Sequence, residues 1–132
     1  MDIHVIKRDG KPAVAVLIPK TEINMASYAA IDAAARAEYA TGVRHMVIDL
    51  SNVRYMSSAG IRLLHGLFKL LRTDDLAETD EALSKSYRDG KVTTKHLKLV
   101  GPNESVSSLL KTSGIGSWLS VFTTTEEALE SF

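Results

Sequence analysis

Three consecutive apolar residues, Met46-Val47-Ile48, form the centre of the run Val43–Leu50. Side chains alternate between the two faces of a strand, so an unbroken apolar run needs cover on both sides. That requirement selects a sheet buried between layers, with parallel strands joined by helical crossovers. The next segment supplies such a helix. A short connection, Ser51–Met56, leads through Ser57-Ser58-Ala59-Gly60, where Ser58 reads as the helix cap, into IRLLHGLFKLLR. Ile61, Leu64, Phe68 and Leu71 recur at helical spacing, flanked by Leu63, Leu67 and Leu70. Arg62, His65, Lys69 and Arg72 mark the opposite stripe. Such a stripe is ordinarily a solvated face. Its place beside the serine pair at the helix start also makes it a candidate docking surface for an acidic partner patch.

The remaining segments repeat this grammar. Ile3–Ile6 and Val14–Ile18 are short strands joined through Asp9-Gly10, a hairpin signal. Asn24 can cap an alanine-rich helix that Gly42 ends. His96–Val100 has strand character and closes at Gly101-Pro102. Asn103 can cap a helix to about Thr112, with Val106, Leu109 and Leu110 inward, ended by Ser113-Gly114. Val121-Phe122 is a last short strand, and Thr124–Glu127 fits a capping box for a terminal helix. The order β-β-α-β-α-β-α-β-α predicts an α/β domain with a mostly parallel sheet and right-handed crossovers. One domain over 1–132 follows, interrupted at 73–95 by a polar insertion. Five acidic residues and no basic one fall between Asp74 and Glu81. A short helix is expected near Glu81–Tyr87.

Composition limits the function. Lys+Arg and Asp+Glu both number 16, so nothing indicates direct binding to nucleic acid. There is no cysteine, which excludes disulfides, thiolate metal sites and cysteine nucleophiles. No apolar run approaches the roughly 18 residues of a membrane span. The opening MDIHVIKRDG is not a signal peptide, so a cytoplasmic location is expected. His4, His45, His65 and His96 show no spacing that places two on one metal, and neither HExxH nor a P-loop occurs. Gly114-Ile115-Gly116 lacks the third glycine of a dinucleotide fingerprint. Asp49 reads as a capped strand end, and Trp118 is expected against the sheet edge. No catalytic residue, metal or cofactor is predicted, and the chain is not expected to be an enzyme. A monomer or weak dimer is expected.

Val47-Ile48-Asp49-Leu50-Ser51, followed by Tyr55-Met56-Ser57-Ser58-Ala59-Gly60-Ile61, resembles the STAS family of sulfate transporter and anti-sigma factor antagonist domains. Thr21-Glu22-Ile23-Asn24 resembles its G-E-L-D, and Leu97–Pro102 its strand ending in V-G-P. Ser113-Gly114-Ile115, Trp118-Leu119 and Val121-Phe122 resemble its T-G-L…L-F…V-F, and Thr125–Leu129 its final helix. The resemblance implies a stand-alone domain with the SpoIIAA-like STAS fold. That fold is a mixed, mostly parallel sheet of four to five strands with an N-terminal hairpin and about four helices, mainly on one side.

It also implies a bacterial partner-switching protein in transcription regulation. Its partner would be an anti-sigma factor that is a serine-protein kinase, and phosphorylation at Ser58 would break the complex. Here Ser57 stands at the family's aspartate, Ala59 at its second serine or threonine, and Asn24 at another aspartate. Negative charge is thereby removed, and Ser57 becomes an alternative acceptor. Asn24, Ser57, Ala59, Gly60, Arg62, His65 and Lys69 are the expected partner-binding residues. A second branch with [ST]-A-G at this helix start resembles Ser58-Ala59-Gly60. It implies the alternative of an accessory subunit for an ABC-type lipid transporter, with the transporter ATPase as partner.

Overall fold

A computed structural model of the chain describes residues 2–7, 10–73 and 96–132, with backbone alone at 72 and 73. The Asp9 half of the hairpin turn, the acidic run from Asp74 and the helix expected near Glu81–Tyr87 lie outside the described residues.

Five strands form one sheet in sequential order, β1 (Asp2–Ile6), β2 (Val14–Ile18), β3 (His45–Asp49), β4 (Leu97–Val100) and β5 (Ser120–Phe122). β1 runs antiparallel to β2, from Asp2 opposite Ile18 to Ile6 opposite Val14. The other three pairings are parallel, with Val47 beside Val16 and Lys98. The expected hairpin followed by a parallel sheet is therefore what forms.

The central strands are covered on both faces, as the apolar run at Met46 requires. On one face Ala15, Leu17, Met46, Ile48, Leu97 and Leu99 are buried. Three helices lie over them: α1 (Tyr28–Ala40), α2 (Ser58–Thr73) and α3 (Glu104–Ser113). α2 contributes Leu63, Leu64, Leu67, Phe68 and Leu71, all fully buried or nearly so. Trp118 departs from expectation. Its ring stacks against α2, 5.7 Å from Phe68 and 5.5 Å from His65. Trp118 follows the short 3-10 turn Ile115–Ser117 as its C-terminal cap.

The opposite face buries Val14, Val16, Val47 and Val100 beneath Ala128 of α4 (Thr125–Glu130), with Leu129 and Phe132 packed beside it. This is the one helix on that side among the described residues. Lys98 points there and is only 4% exposed. Its Nζ lies 2.5 Å from Ser131 Oγ and 4.1 Å from the centre of the Phe132 ring.

Helix ends follow local chemistry. Asn103 Oδ1 accepts from Val106 N at 2.8 Å, and Thr124 Oγ1 from Glu127 N at 3.2 Å, so both predicted caps form. Asn24 acts one turn earlier than a simple cap. Its Oδ1 accepts from Ala26 N and Ser27 N, building a turn from which α1 starts at Tyr28. Among the described residues, no helix is long and apolar enough to cross a membrane.

Candidate functional site

The segments that follow β2, β3 and β4 converge at the carboxyl edge of the sheet, the usual location for sites in open α/β sheets. Ile23 and Met56 form an isolated parallel bridge. Ile23 N donates to Tyr55 O at 3.1 Å, and Ser57 N to Ile23 O at 2.9 Å. Both bridge residues are buried. Alternation along the two extended segments therefore turns Tyr55 and Ser57 outward.

Asn103 fastens a third segment to these. Its Nδ2 donates to Arg54 O at 2.9 Å while its Oδ1 caps α3. Gly101, at φ 61, lets the chain pass Ser51, whose Cβ would stand 3.2 Å from any Cβ placed there. Asp49 accepts from Ser51 N at 2.9 Å and Ser51 Oγ at 2.6 Å. It holds the turn after β3, consistent with a capped strand end.

This frame fixes the start of α2. Ser57, not Ser58, is the N-cap, because its Oγ accepts from Ala59 N at 3.2 Å and its carbonyl from Gly60 N at 2.9 Å. Ser58 is the first helical residue. It is exposed, and its hydroxyl has no hydrogen-bond partner among the described residues. The dipole of the 16-residue α2 favours an anion at this end.

Ala59 and Gly60, expected among the residues that meet a partner, are buried. They set the face from beneath. A Cβ at Gly60 would overlap Met56 Cγ and Sδ and stand 3.2 Å from Ile23 Cγ2. The absence of that Cβ lets α2 settle onto the Ile23–Met56 bridge.

The polar stripe of α2 is uneven. Arg62 and Lys69 are exposed, whereas His65 is half-buried against Trp118. Burial, with Lys69 nearby, holds the His65 pKa below its ordinary value. The side chain of Arg72 lies outside the described residues. Asn24 is half-buried, its Oδ1 occupied by its own turn.

Sequence reasoning missed the neighbours of this site. A groove of about 610 Å³ beside Asn24 is lined by Lys20, Thr21, Ser27, Asn52 and Arg54 among others. Of these only Thr21 falls in a segment with a family resemblance, and only the convergence of the loops unites them. Reading histidine spacings also missed a pair. Parallel pairing of β3 with β4 sets His45 beside His96, with Nδ1 atoms 3.0 Å apart, at the opposite edge of the sheet. Among the described residues, no group of three or more His, Asp or Glu could hold a metal ion.

Five strands in sequential order, the first antiparallel, with three helices on one face and one on the other, define a small mixed α/β domain. Its loops gather around a helix-opening serine pair. The family model for the STAS domain matches residues 6–77, over half of the chain, and the chain belongs to that family.

Solved structures agree on the fold. A candidate anti-sigma factor antagonist of Thermotoga maritima superposes with a TM-score of 0.69 at 19% identity, covering 97% of this chain and 92% of that one. An anti-sigma factor antagonist of Mycobacterium paratuberculosis gives 0.68 at 21%, covering 98% and 92%. The anti-sigma factor antagonist SpoIIAA in its unphosphorylated form gives 0.64 at 19%, covering 98% and 94%. No curated protein matches the chain in sequence.

Proposed function

We propose that this chain is a non-enzymatic docking module of the anti-sigma factor antagonist type. It binds an anti-sigma factor that is also a serine kinase, and phosphorylation of Ser58 releases it. The observation that carries this reading is the division of labour between the two serines. Ser57 spends its hydroxyl on the helix cap, whereas Ser58 presents an exposed hydroxyl one residue later. A kinase can reach that hydroxyl without unwinding α2. The phosphate would sit where the helix dipole favours negative charge, so the fold would tolerate it. Its effect would fall on the partner, through about −1.5 to −2 added charges on the docking face. The family supports the reading, and SpoIIAA of Bacillus has been solved in a phosphorylated form with the same fold, at TM-score 0.59. Exposed Arg62 and Lys69 would meet the partner directly, while Asn24, Ala59 and Gly60 hold the face in shape.

The test is incubation with an anti-sigma kinase from the same genome and ATP, followed by mass spectrometry. Phosphate on Ser58, absent in Ser58→Ala and retained in Ser57→Ala, is expected. No phosphate on either serine and no kinase complex would refute the reading. Co-purification with a transporter ATPase would replace it by a transporter-subunit role.

A further inference from the structure

Among the described residues, four large hydrophobic side chains are notably exposed: Val5, Met25, Tyr55 and Val121. Val5 and Val121 lie on the two edge strands. The other two, Met25 at 68% and Tyr55 at 52% exposure, belong to the segments that the Ile23–Met56 bridge clamps together beside Ser58. Isolated exposed hydrophobics are normal on a protein surface. This pair differs because the fold holds both of them out. Tyr55 faces outward because its neighbour Met56 is buried in the bridge. Met25 sits at the tip of the turn that Asn24 closes.

Two arginines flank the pair. Arg54 is exposed next to Tyr55, and Arg62 is exposed one helical turn beyond Ser58. Neither has an ion-pair partner among the described residues. Glu22 is the nearby exposed carboxylate in sequence, on the segment that carries Met25.

We propose that Met25 and Tyr55 are the apolar anchors of the docking face, and that the partner protein offers them an apolar cleft rimmed by carboxylates. The inference rests on the docking role proposed above and names the chemistry of its surface. An aromatic side chain with a polar tip and a flexible thioether are suited to a partner cleft. Two exposed guanidinium groups provide the complement to an acidic rim. The cations also explain how the switch reaches past its own residue. A phosphate on Ser58 lies one helical turn from Arg62, where it would both repel the acidic rim and draw the arginine away from it.

Binding of a purified anti-sigma kinase from the same genome, measured by surface plasmon resonance, tests this. Met25→Ala and Tyr55→Ala should each weaken the complex about tenfold or more, the scale of an interface anchor. Val121→Ala, at an exposed valine on the far edge strand, should not. Arg54→Glu with Arg62→Glu should slow association and flatten its dependence on salt. Each variant changes an exposed side chain, and an unaltered melting temperature confirms that the fold is intact. If the kinase binds wild type and both alanine variants equally, the anchors are refuted while the docking role stands. If the double charge reversal leaves the salt dependence unchanged, the acidic rim is refuted. If the kinase does not bind wild type, the docking role falls and the inference with it.

Discussion

Exchanging the roles of Ser57 and Ser58 separates structure from switching at a single helix start. Ser57 Oγ receives one hydrogen bond, from Ala59 N at 3.2 Å, the long end of the usual range. Removing a serine N-cap costs about 0.5–2 kcal/mol, and a long single bond places Ser57→Ala near 1 kcal/mol. Ser58 lies inside the first turn, and its hydroxyl has no hydrogen-bond partner among the described residues. Ser58→Ala loses no hydrogen bond and gains slightly in helix propensity, so its change should stay within about 0.5 kcal/mol of zero. Ser57→Asp should retain the cap and add a carboxylate at the positive end of α2, for a gain of about 0.3–1 kcal/mol. Urea unfolding of the three variants should place Ser57→Asp above wild type, Ser58→Ala near wild type and Ser57→Ala lowest. In thermal melts Ser57→Ala should fall by roughly 3–6 °C for a chain of this size. Phosphate transfer should follow the opposite pattern, lost in Ser58→Ala and kept in Ser57→Ala. If Ser58→Ala costs as much stability as Ser57→Ala, the cap has been misplaced and the free hydroxyl with it.

Further variants probe the frame beneath the site. Gly60→Ala forces a Cβ onto Met56, and overpacking of this kind costs about 1–3 kcal/mol, against about 1 kcal/mol gained from helix propensity. It should therefore cost more stability in wild type than in Met56→Ala, a coupling that calorimetry of the double-mutant cycle reads directly. Asn103→Ala removes both the α3 cap and the tie to Arg54 O and should cost about 1–2 kcal/mol. Asn103→Asp keeps the cap and should cost less. Lys98 is buried, and burial holds its pKa below the ordinary lysine value. The unfolded chain therefore binds the proton more tightly, and stability rises with pH as the folded-state lysine deprotonates, until the unfolded lysine does so too. Lys98→Met should abolish this rise, so its stability relative to wild type should fall as the pH approaches the ordinary lysine pKa of about 10.4. Denaturant midpoints at several pH values check the slope.

The fold was legible in the sequence wherever burial is periodic. Met46-Val47-Ile48 demanded cover on both faces, and the leucines of α2 together with α4 supply it. The caps at Asn103 and Thr124 were legible because a cap is chemistry among residues three apart. What depends on pairing between distant segments was not. His45 and His96 are 51 residues apart, and only the parallel register of β3 with β4 makes them neighbours. Trp118 failed for the same reason. Its ring meets Phe68 and His65 of α2, about 50 residues away in the chain, which no local pattern encodes.

The site divides along the same line, and the division bears on how it works. The helix and its polar stripe could be found from spacing alone, because they are local, and Ser58 was singled out by the family resemblance at the helix start. The assignment of the cap to Ser57 could not, since two adjacent serines each satisfy the same propensity. The choice is made by Ile23, far upstream in the chain, whose carbonyl accepts from Ser57 N and fixes where the extended segment ends. The outward turn of Tyr55 comes from that same contact, because Met56 must face in to meet Ile23. One bridge between two loops thus sets which hydroxyl caps, which is left free, and which apolar side chain stands beside it. A substitution that loosens the bridge without touching either serine, such as Ile23→Ala, should therefore disturb capping and docking together. Near-normal docking in an Ile23→Ala protein that still folds would show that the helix start holds its geometry without the bridge.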